Sequence, residues 1–159
     1  MKTKFFQILG VVAVSIISFS ACETDACKDV NCGDNGTCVD GDCVCDSGYE
    51  GVNCQTEERA KFIGSYSVTE ACTSGNYSYS MTITTSSTGV DKIVAQNFGD
   101  YSVDLIGTVD GSSVSFANQT VGGGTFSATG QISGSILTIS YTVTAGSSND
   151  SCTITATKQ

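Results

Sequence analysis

Apolar and polar residues alternate along the chain from residue 62 onwards. The clearest apolar positions are Tyr77, Tyr79, Met81, Ile83, Leu137, Ile139, Tyr141 and Val143. Within these two runs, Ser or Thr occupies every position between apolar neighbours. Because successive side chains of a β-strand point to opposite faces, this period of two predicts half-buried antiparallel strands.

Weaker alternation marks six further segments, which are separated by turn sequences. The segments are 62–70, 92–96, 102–109, 113–117, 124–132 and 151–157. Links such as Asp110-Gly111 and Ser133-Gly134 favour tight turns, because Gly and Asp tolerate the backbone conformations that turns require. We therefore expect an all-β fold with eight strands in a meander, and no helical periodicity of useful length is present.

Two cysteines indicate how this meander closes. Cys72 ends the first predicted strand and Cys152 lies in the last. If they form a disulfide, their Cα atoms lie about 4.4 to 6.8 Å apart, so the first and last strands are neighbours. An even-numbered meander whose ends meet is a closed barrel without exposed edges. A two-sheet β-sandwich is the alternative, since it also brings the ends together.

The barrel prediction agrees with a family resemblance. The segment Phe62-Ile63-Gly64-Ser65-Tyr66, together with the length and strand count, resembles the lipocalin-like barrels of small bacterial lipoproteins. Such a barrel is either filled by side chains or holds one small ligand. The aromatic residues that compete for the interior favour filling; they are Phe62, Tyr66, Tyr79, Phe116, Phe126 and Tyr141.

The first 22 residues indicate export and a lipid anchor. Lys2 and Lys4 precede an apolar run over 5–19 that is too short for a permanent transmembrane helix. The run ends in Phe19-Ser20-Ala21-Cys22, which resembles the bacterial lipobox. That resemblance implies cleavage before Cys22 and acylation of its sulfur. The alternative is ordinary signal cleavage with a free or intermolecularly bonded Cys22.

The cysteine count agrees with lipidation. The chain has 9 cysteines, so an exported form leaves one thiol without a partner. A lipid on Cys22 consumes that thiol and leaves eight for disulfides. Since two or three acyl chains bind a bilayer far more strongly than one, we expect the mature protein to stay on a bacterial membrane. We expect the outer membrane, with the protein facing the periplasm or the exterior.

Six cysteines between residues 27 and 54 form a separate module. This segment has little aliphatic content, so covalent cross-links must stabilise it. Its spacing, and above all the run from Cys43 to Cys54, resembles the EGF-like domain. The resemblance implies the pairs Cys27 with Cys38, Cys32 with Cys43, and Cys45 with Cys54.

Metal and redox chemistry of these cysteines is not expected. Paired C-x2-C spacings, as in zinc knuckles and redox motifs, are missing. Calcium is a closer alternative, because Glu23, Asp25, Asp29 and Asp42 offer oxygen ligands. Ala26, however, stands where calcium-binding members of the family carry a ligand Glu. We therefore predict no cofactor, and calcium stays open as the alternative.

The chain carries a large negative charge. The formal net charge is −9, and removal of residues 1–21 takes away two lysines and leaves 5 basic against 16 acidic side chains, or −11. This charge argues against nucleic-acid partners.

The predicted order is a signal peptide (1–21), a lipidated tether (22–26), an EGF-like domain (27–54), a linker (55–61) and the barrel (62–157).

The sequence contains no constellation that suggests catalysis. There is no His, each cysteine after position 22 has an expected partner, and the serines have no obvious activating base. We therefore expect no catalytic residues and no enzyme activity. The favoured function is a membrane-anchored surface binding or adhesion module with a protein or glycan partner. The alternative is a lipocalin-like carrier of a small apolar molecule.

Overall fold

The N-terminal part of the structure is a small disulfide-linked unit. The computed structural model describes residues 25–159, so the predicted signal peptide and Cys22 lie outside the described residues. We call residues 27–57 the knot. A 3-10 turn at Gly33–Asn35 is followed by β1 (Gly36–Val39), β2 (Asp42–Cys45), β3 (Tyr49–Glu50) and β4 (Thr56–Glu57). These strands form two antiparallel pairs, β1 with β2 and β3 with β4.

Three disulfides hold the knot. They join Cys27 to Cys38, Cys32 to Cys43, and Cys45 to Cys54. Cys54 is completely buried, whereas Val39, Val44 and Val52 of the same unit are exposed. Since most of its few apolar side chains face solvent, the cross-links supply the stability that a hydrophobic core supplies elsewhere.

Eight antiparallel strands then close into a barrel. They are β5 (Gly64–Cys72), β6 (Asn76–Thr85), β7 (Lys92–Gln96), β8 (Leu105–Asp110), β9 (Ser113–Val121), β10 (Gly124–Ser133), β11 (Ile136–Ala145) and β12 (Ser148–Lys158). Each strand pairs with its neighbours in sequence, and β12 pairs with β5. The predicted all-β fold with an eight-stranded antiparallel barrel is confirmed, and the sandwich alternative is wrong.

The period of two in the sequence separates the inside of the barrel from its outside. Along β11, for example, Leu137, Ile139, Tyr141 and Val143 are buried while the intervening Thr and Ser residues are exposed. The largest fully buried side chains fill the interior; they are Tyr66, Phe62, Phe98, Phe116, Phe126, Met81, Ile83, Ile93, Leu105, Leu137, Ile139 and Ile154. The barrel interior is thus a packed aromatic and aliphatic core.

The closing seam of the barrel carries the fourth disulfide. Cys72 and Cys152 lie directly opposite each other in the register of β5 and β12, with 4.0 Å between their Cα atoms. This bond joins the first and last strands, which are 80 residues apart in sequence. Within residues 25–159, no helix is long and apolar enough to span a membrane.

The predicted linker, residues 55–61, is structured. Strand β4 belongs to it, and a 3-10 helix follows at Glu58–Lys61. Phe62, which the alternation places in the first strand, instead caps this helix and is completely buried. Its carbonyl oxygen accepts a hydrogen bond of 2.7 Å from the Tyr66 hydroxyl inside the barrel. Phe62 therefore closes the end of the barrel that faces the knot.

Candidate functional site

The two ends of the barrel differ, and the end next to the knot is occupied. Arg59 Nη1 donates hydrogen bonds to the carbonyl oxygens of Ser86, Gly89 and Lys92, at 2.8 to 3.0 Å. The Glu58 carboxylate accepts a 3.0 Å hydrogen bond from Gly111 N. These contacts attach the 3-10 helix to two different loops of the barrel, so this end is covered.

Direct contacts also join the knot to the 3-10 helix at Glu58–Lys61 and to the barrel. The Glu58 backbone N–H donates to the Gly48 carbonyl at 2.9 Å, and Lys61 Nζ lies 2.7 Å from Glu50 Oε2. A Cβ atom on Gly48 would approach Val90 Cγ1 of the barrel to 2.7 Å, so any other residue at position 48 would displace Val90. Glycine at position 48 thus permits the two parts to touch.

We call the opposite end of the barrel the distal mouth. It is formed by the strand connections at residues 73–75, 97–104, 122–123 and 146–147. The longest of these, residues 97–104, folds across the opening and places Phe98 inside the barrel, where its side chain is completely buried. The distal mouth is therefore partly closed by its own chain rather than by another domain.

A buried carboxylate lies inside the barrel beneath the distal mouth. Glu70 follows Tyr66 and Val68 on the inward face of β5 and is only 4% exposed. The hydroxyls of Tyr79 and Tyr141 donate hydrogen bonds to its two oxygens, at 2.5 and 2.6 Å. A buried charge without such donors would be very costly, so the two tyrosines make the position tolerable.

The tyrosines around this carboxylate hold their protons strongly. Burial raises the pKa of Tyr79 and of Tyr141, and the hydrogen bond to Glu70 and its negative charge raise both further. Burial alone raises the pKa of Tyr66 to about 12. An ionised tyrosine next to a carboxylate would be repelled by it, so the neutral phenols act as hydrogen-bond donors.

These shifts predict a loss of stability in alkaline solution. An unfolded tyrosine ionises near pH 10, whereas Tyr66, Tyr79 and Tyr141 keep their protons to higher pH while folded. Their contribution is therefore fully present below about pH 10 and is lost as the pH rises above it. We expect the free energy of unfolding to fall by about 3 kcal/mol from about pH 9 to about pH 11.

Denaturant unfolding at several pH values, with tyrosinate absorbance recorded on the folded protein, measures this effect. Tyr141→Phe removes one of the three groups, so its stability should fall less steeply over the same interval. Ionisation of all tyrosines near pH 10 in the folded protein would contradict the burial of these hydroxyls.

The disulfide of the barrel seam lies against the same carboxylate. Cys72 Sγ is 2.8 Å from Glu70 Oε1, and the ligand atoms of Glu70, Cys72 and Cys152 lie within 4.8 Å of one another. Such a group of side chains could hold a metal ion only if both sulfurs were thiolates. Both are committed to the disulfide, so this cluster does not fit a metal centre in the oxidised protein.

Aromatic rings surround the carboxylate on the side of the distal mouth. The ring of Phe98 lies 5.3 Å from that of Phe116 and 5.0 Å from that of Tyr141, measured between centroids. Tyr101 contacts Phe126 edge to face at 5.4 Å and is 46% exposed. Tyr101 therefore lies at the boundary between the buried aromatic cluster and solvent.

The chain segment that carries Phe98 and Tyr101 has an unusual backbone. Asn97, Gly99, Asp100 and Ser102 all have positive φ angles of 56 to 64°. Side-chain bonds of Asn97 hold this conformation, since its amide donates to Ser80 O at 3.0 Å and accepts from Ser102 N at 3.1 Å. Such left-handed residues persist only where surrounding contacts hold them. The position of the two rings is thus fixed by local hydrogen bonds.

An open pocket of about 470 Å³ lies at the distal mouth beside Tyr101. Val143 and Ala145 from the end of β11 provide an apolar wall, and Asp150 of β12 provides a carboxylate. Hydrogen bonds from Ser74 and Thr73 hold the pKa of Asp150 below its usual value. The pocket combines one aromatic ring, an apolar wall and one ionised acid, which is a typical composition for a small binding site.

The residues singled out from the sequence lie mostly away from this pocket. Cys22 and Glu23 lie outside the described residues. The remaining acids considered for calcium, Asp25, Asp29 and Asp42, are all exposed to solvent. Of the predicted disulfide residues, only Cys72 and Cys152 lie near the distal mouth, where they are bonded to each other.

Sequence reasoning missed Glu70, Phe98 and Tyr101. A signal existed for Glu70, since it continues the alternation of Tyr66 and Val68 and is an acid at an inward position. No such signal existed for Phe98 and Tyr101, because both precede the alternating segment 102–109 and lie outside every predicted strand.

Comparisons with known proteins give limited matches. Residues 27–57 match the family described as the Teneurin-like EGF domain. No curated protein matches the chain significantly. A crystal structure of the zebrafish ileal bile acid-binding protein complexed with cholic acid covers 63% of this chain and 100% of its own, with 11% identity and a TM-score of 0.39. That likeness is too distant to carry an argument about a ligand.

Proposed function

We propose that this protein is a non-enzymatic binding protein, anchored to a bacterial membrane through a lipid on Cys22, that takes its ligand or partner at the distal mouth. The proposal that this protein binds a ligand rests on the difference between the two ends of the barrel. The knot and Arg59 cover one end, whereas the other has an open pocket beside a buried polar cluster. A pocket with converging polar groups is the usual place for a ligand.

The order of the parts supports presentation of the distal mouth away from the membrane. A tether of residues 22–26 spans at most about 17 Å, so the knot would lie close to the lipid. The barrel is fixed to the knot on the side opposite the distal mouth. The open pocket would then face outward, where a protein, a glycan or a small molecule can reach it.

The negative charge of the knot and the residues next to it supports attachment by lipid rather than by protein surface. Residues 23–58 carry ten acidic side chains and one basic one, Lys28. Such a surface is repelled by anionic headgroups. Acyl chains on Cys22 would therefore provide the membrane affinity, at about 0.8 kcal/mol for each buried CH₂ group.

Absence of catalysis is part of the proposal. Both oxygens of Glu70 accept tyrosine hydrogen bonds, and the Asp150 carboxylate is bonded to Thr73 and Ser74. These acids are engaged in holding the structure together, and the sequence offers no His to act as a base.

A lipocalin-like carrier of a small apolar molecule is the second candidate. A closed barrel with a buried acid, Glu70, in its interior is the general arrangement of a site that holds a ligand inside. Entry of a ligand would require Phe98 and its segment to move, because that ring fills the space beneath the distal mouth. The packed interior therefore favours binding at the surface pocket.

One experiment tests the anchor and separates the two candidates. The full chain and its Cys22→Ser variant are expressed in a bacterium that processes lipoproteins, fractionated, and weighed by mass spectrometry. We expect the unaltered protein in the membrane with the added mass of acyl chains, and Cys22→Ser in the soluble fraction. Ser20→Ala keeps a small residue before the cysteine and should behave like the unaltered protein.

Two results would contradict the proposal. Membrane association of Cys22→Ser, or a mass without acyl chains, would exclude the lipid anchor. A stoichiometric apolar molecule that co-purifies with the protein would favour the carrier, because the surface pocket is too open to retain such a molecule during purification.

A further inference from the structure

The distal half of the barrel carries acidic side chains and no basic ones within the described residues. Glu70, Asp100, Asp104 and Asp150 lie at or near the distal mouth. The basic residues of the described chain lie in the knot, in the segment after it, or at the strand ends facing the knot; they are Lys28, Arg59, Lys61, Lys92 and Lys158. The charge is therefore separated along the barrel axis.

Tyr101 and Asp150 line the same open pocket. Burial raises the pKa of Tyr101, and the negative charges of Asp150 and Glu70 raise it further, so both acids act on the same ring. Asp150 lies in the wall of the open pocket, and Glu70 lies below the aromatic cluster. An aromatic face near carboxylates is the arrangement that attracts organic cations, through the ring quadrupole and through charge.

We propose that the pocket at the distal mouth binds an organic cation, namely an ammonium or guanidinium group on a short apolar stem. This inference rests on the proposed function and names its ligand class. The cation lies between Tyr101 and the carboxylate of Asp150, which keeps its hydrogen bonds from Thr73 and Ser74, and the stem packs on Val143 and Ala145. The pocket volume of about 470 Å³ accommodates a group of this size.

The same electrostatics exclude an anionic ligand. The carboxylate of a fatty acid or bile acid needs a basic or hydrogen-bond donating partner inside the protein. At the distal mouth, such a group meets Asp150 and Glu70, and the described residues there include no Lys or Arg to neutralise it. Like charges in a partly buried site repel strongly, so an apolar anion would bind poorly.

Titration calorimetry with four probes tests the inference on the intact disulfide-bonded protein. The cations are spermidine and a short capped peptide that contains one lysine and one arginine. Comparison of these two probes shows whether the natural ligand is a free amine or a cationic side chain of another protein. The anions are laurate and cholate. We expect saturable binding of at least one cation and none of the anions. Raising the salt from about 0.02 M to about 0.5 M should weaken the binding, because salt screens exposed charges.

Variants of the pocket locate the binding. Tyr101→Phe keeps an aromatic face and should retain the affinity, whereas Tyr101→Leu keeps only apolar packing and should lose about fivefold or more. Asp150→Asn removes the charge while keeping hydrogen-bonding atoms, and it should weaken the cation by a similar factor. Asp110→Asn makes the same charge change at the covered end and serves as the matched control.

The outcomes distinguish this inference from the function on which it rests. Failure of both cations to bind, or binding by Tyr101→Leu and by Asp150→Asn that is as tight as binding by the unaltered protein, would overturn the cation site. If laurate or cholate binds instead and Tyr101→Leu weakens it, the distal mouth is still the binding site and only the ligand class is wrong. If an anion binds without an effect of Tyr101→Leu, both the ligand class and the distal mouth are wrong.

Discussion

Removal of the disulfide in the barrel seam should lower the free energy of unfolding of the barrel by about 4 kcal/mol. The bond between Cys72 and Cys152 closes a loop of 80 residues, the longest such loop among the described disulfides. Chain-entropy arguments give larger effects for longer loops, because a long unfolded loop loses more freedom when it is tied. For a domain of this size, the change corresponds to a decrease in melting temperature of about 20 °C.

The measurement is calorimetric or denaturant unfolding of Cys72→Ala/Cys152→Ala. The variant should still fold, since β5 and β12 also pair through backbone hydrogen bonds over seven residue positions. Cys27→Ala/Cys38→Ala is the matched control, because its sequence separation is only 11 and it lies in the knot. We expect the control to leave the unfolding of the barrel almost unchanged. An unchanged barrel transition in the Cys72/Cys152 variant would show that the seam disulfide contributes little.

Replacement of Glu70 by alanine should destabilise the barrel by about 3 kcal/mol. The substitution leaves the hydroxyls of Tyr79 and Tyr141 without their acceptor, and an unsatisfied buried hydroxyl costs about 1 to 3 kcal/mol. Most of the loss should come from Tyr141, which is buried, since Tyr79 is only half-buried and water can replace its partner. Glu70→Gln keeps one acceptor oxygen and should cost less.

A rescue variant tests the cause. In Glu70→Leu/Tyr79→Phe/Tyr141→Phe, the carboxylate and both hydroxyls are absent, so no polar group is left unsatisfied. We expect this triple variant to recover much of the stability lost in Glu70→Ala, because removal of all partners is nearly neutral. If the triple variant is as unstable as Glu70→Ala, unsatisfied hydroxyls do not explain the loss of stability. Chemical denaturation of the three proteins provides the comparison.

The barrel could be predicted from local pattern. The alternation of Leu137, Ile139, Tyr141 and Val143 with Ser and Thr marks one face of a strand, whatever that strand pairs with. Turn sequences at Asp110-Gly111 and Ser133-Gly134 limit each strand to its neighbours. The pattern placed Phe62 in a strand, where the structure makes it a buried cap, since periodicity does not reveal where a strand begins.

The distal mouth could not be predicted in this way. Phe98 and Tyr101 lie in a connection whose path depends on left-handed residues and on hydrogen bonds of Asn97. Asp150 and Thr73 lie side by side at the seam of β5 and β12, although they are 77 positions apart. The predicted bond between Cys72 and Cys152 brings these two residues near each other, but the sequence does not indicate that Tyr101 joins them in one pocket.

The sequence by itself determined the strand count, the inward and outward faces, and the all-β class, because these follow from the period of side chains along an extended backbone. Only the tertiary structure decided that Glu70 meets two tyrosines, that one barrel end is covered by the knot, and that the acids gather at the other. These features depend on how strands, loops and the knot meet in space, and strand register is one part of this. Closure of the whole barrel sets the register of its strands, and no local stretch of sequence determines that register.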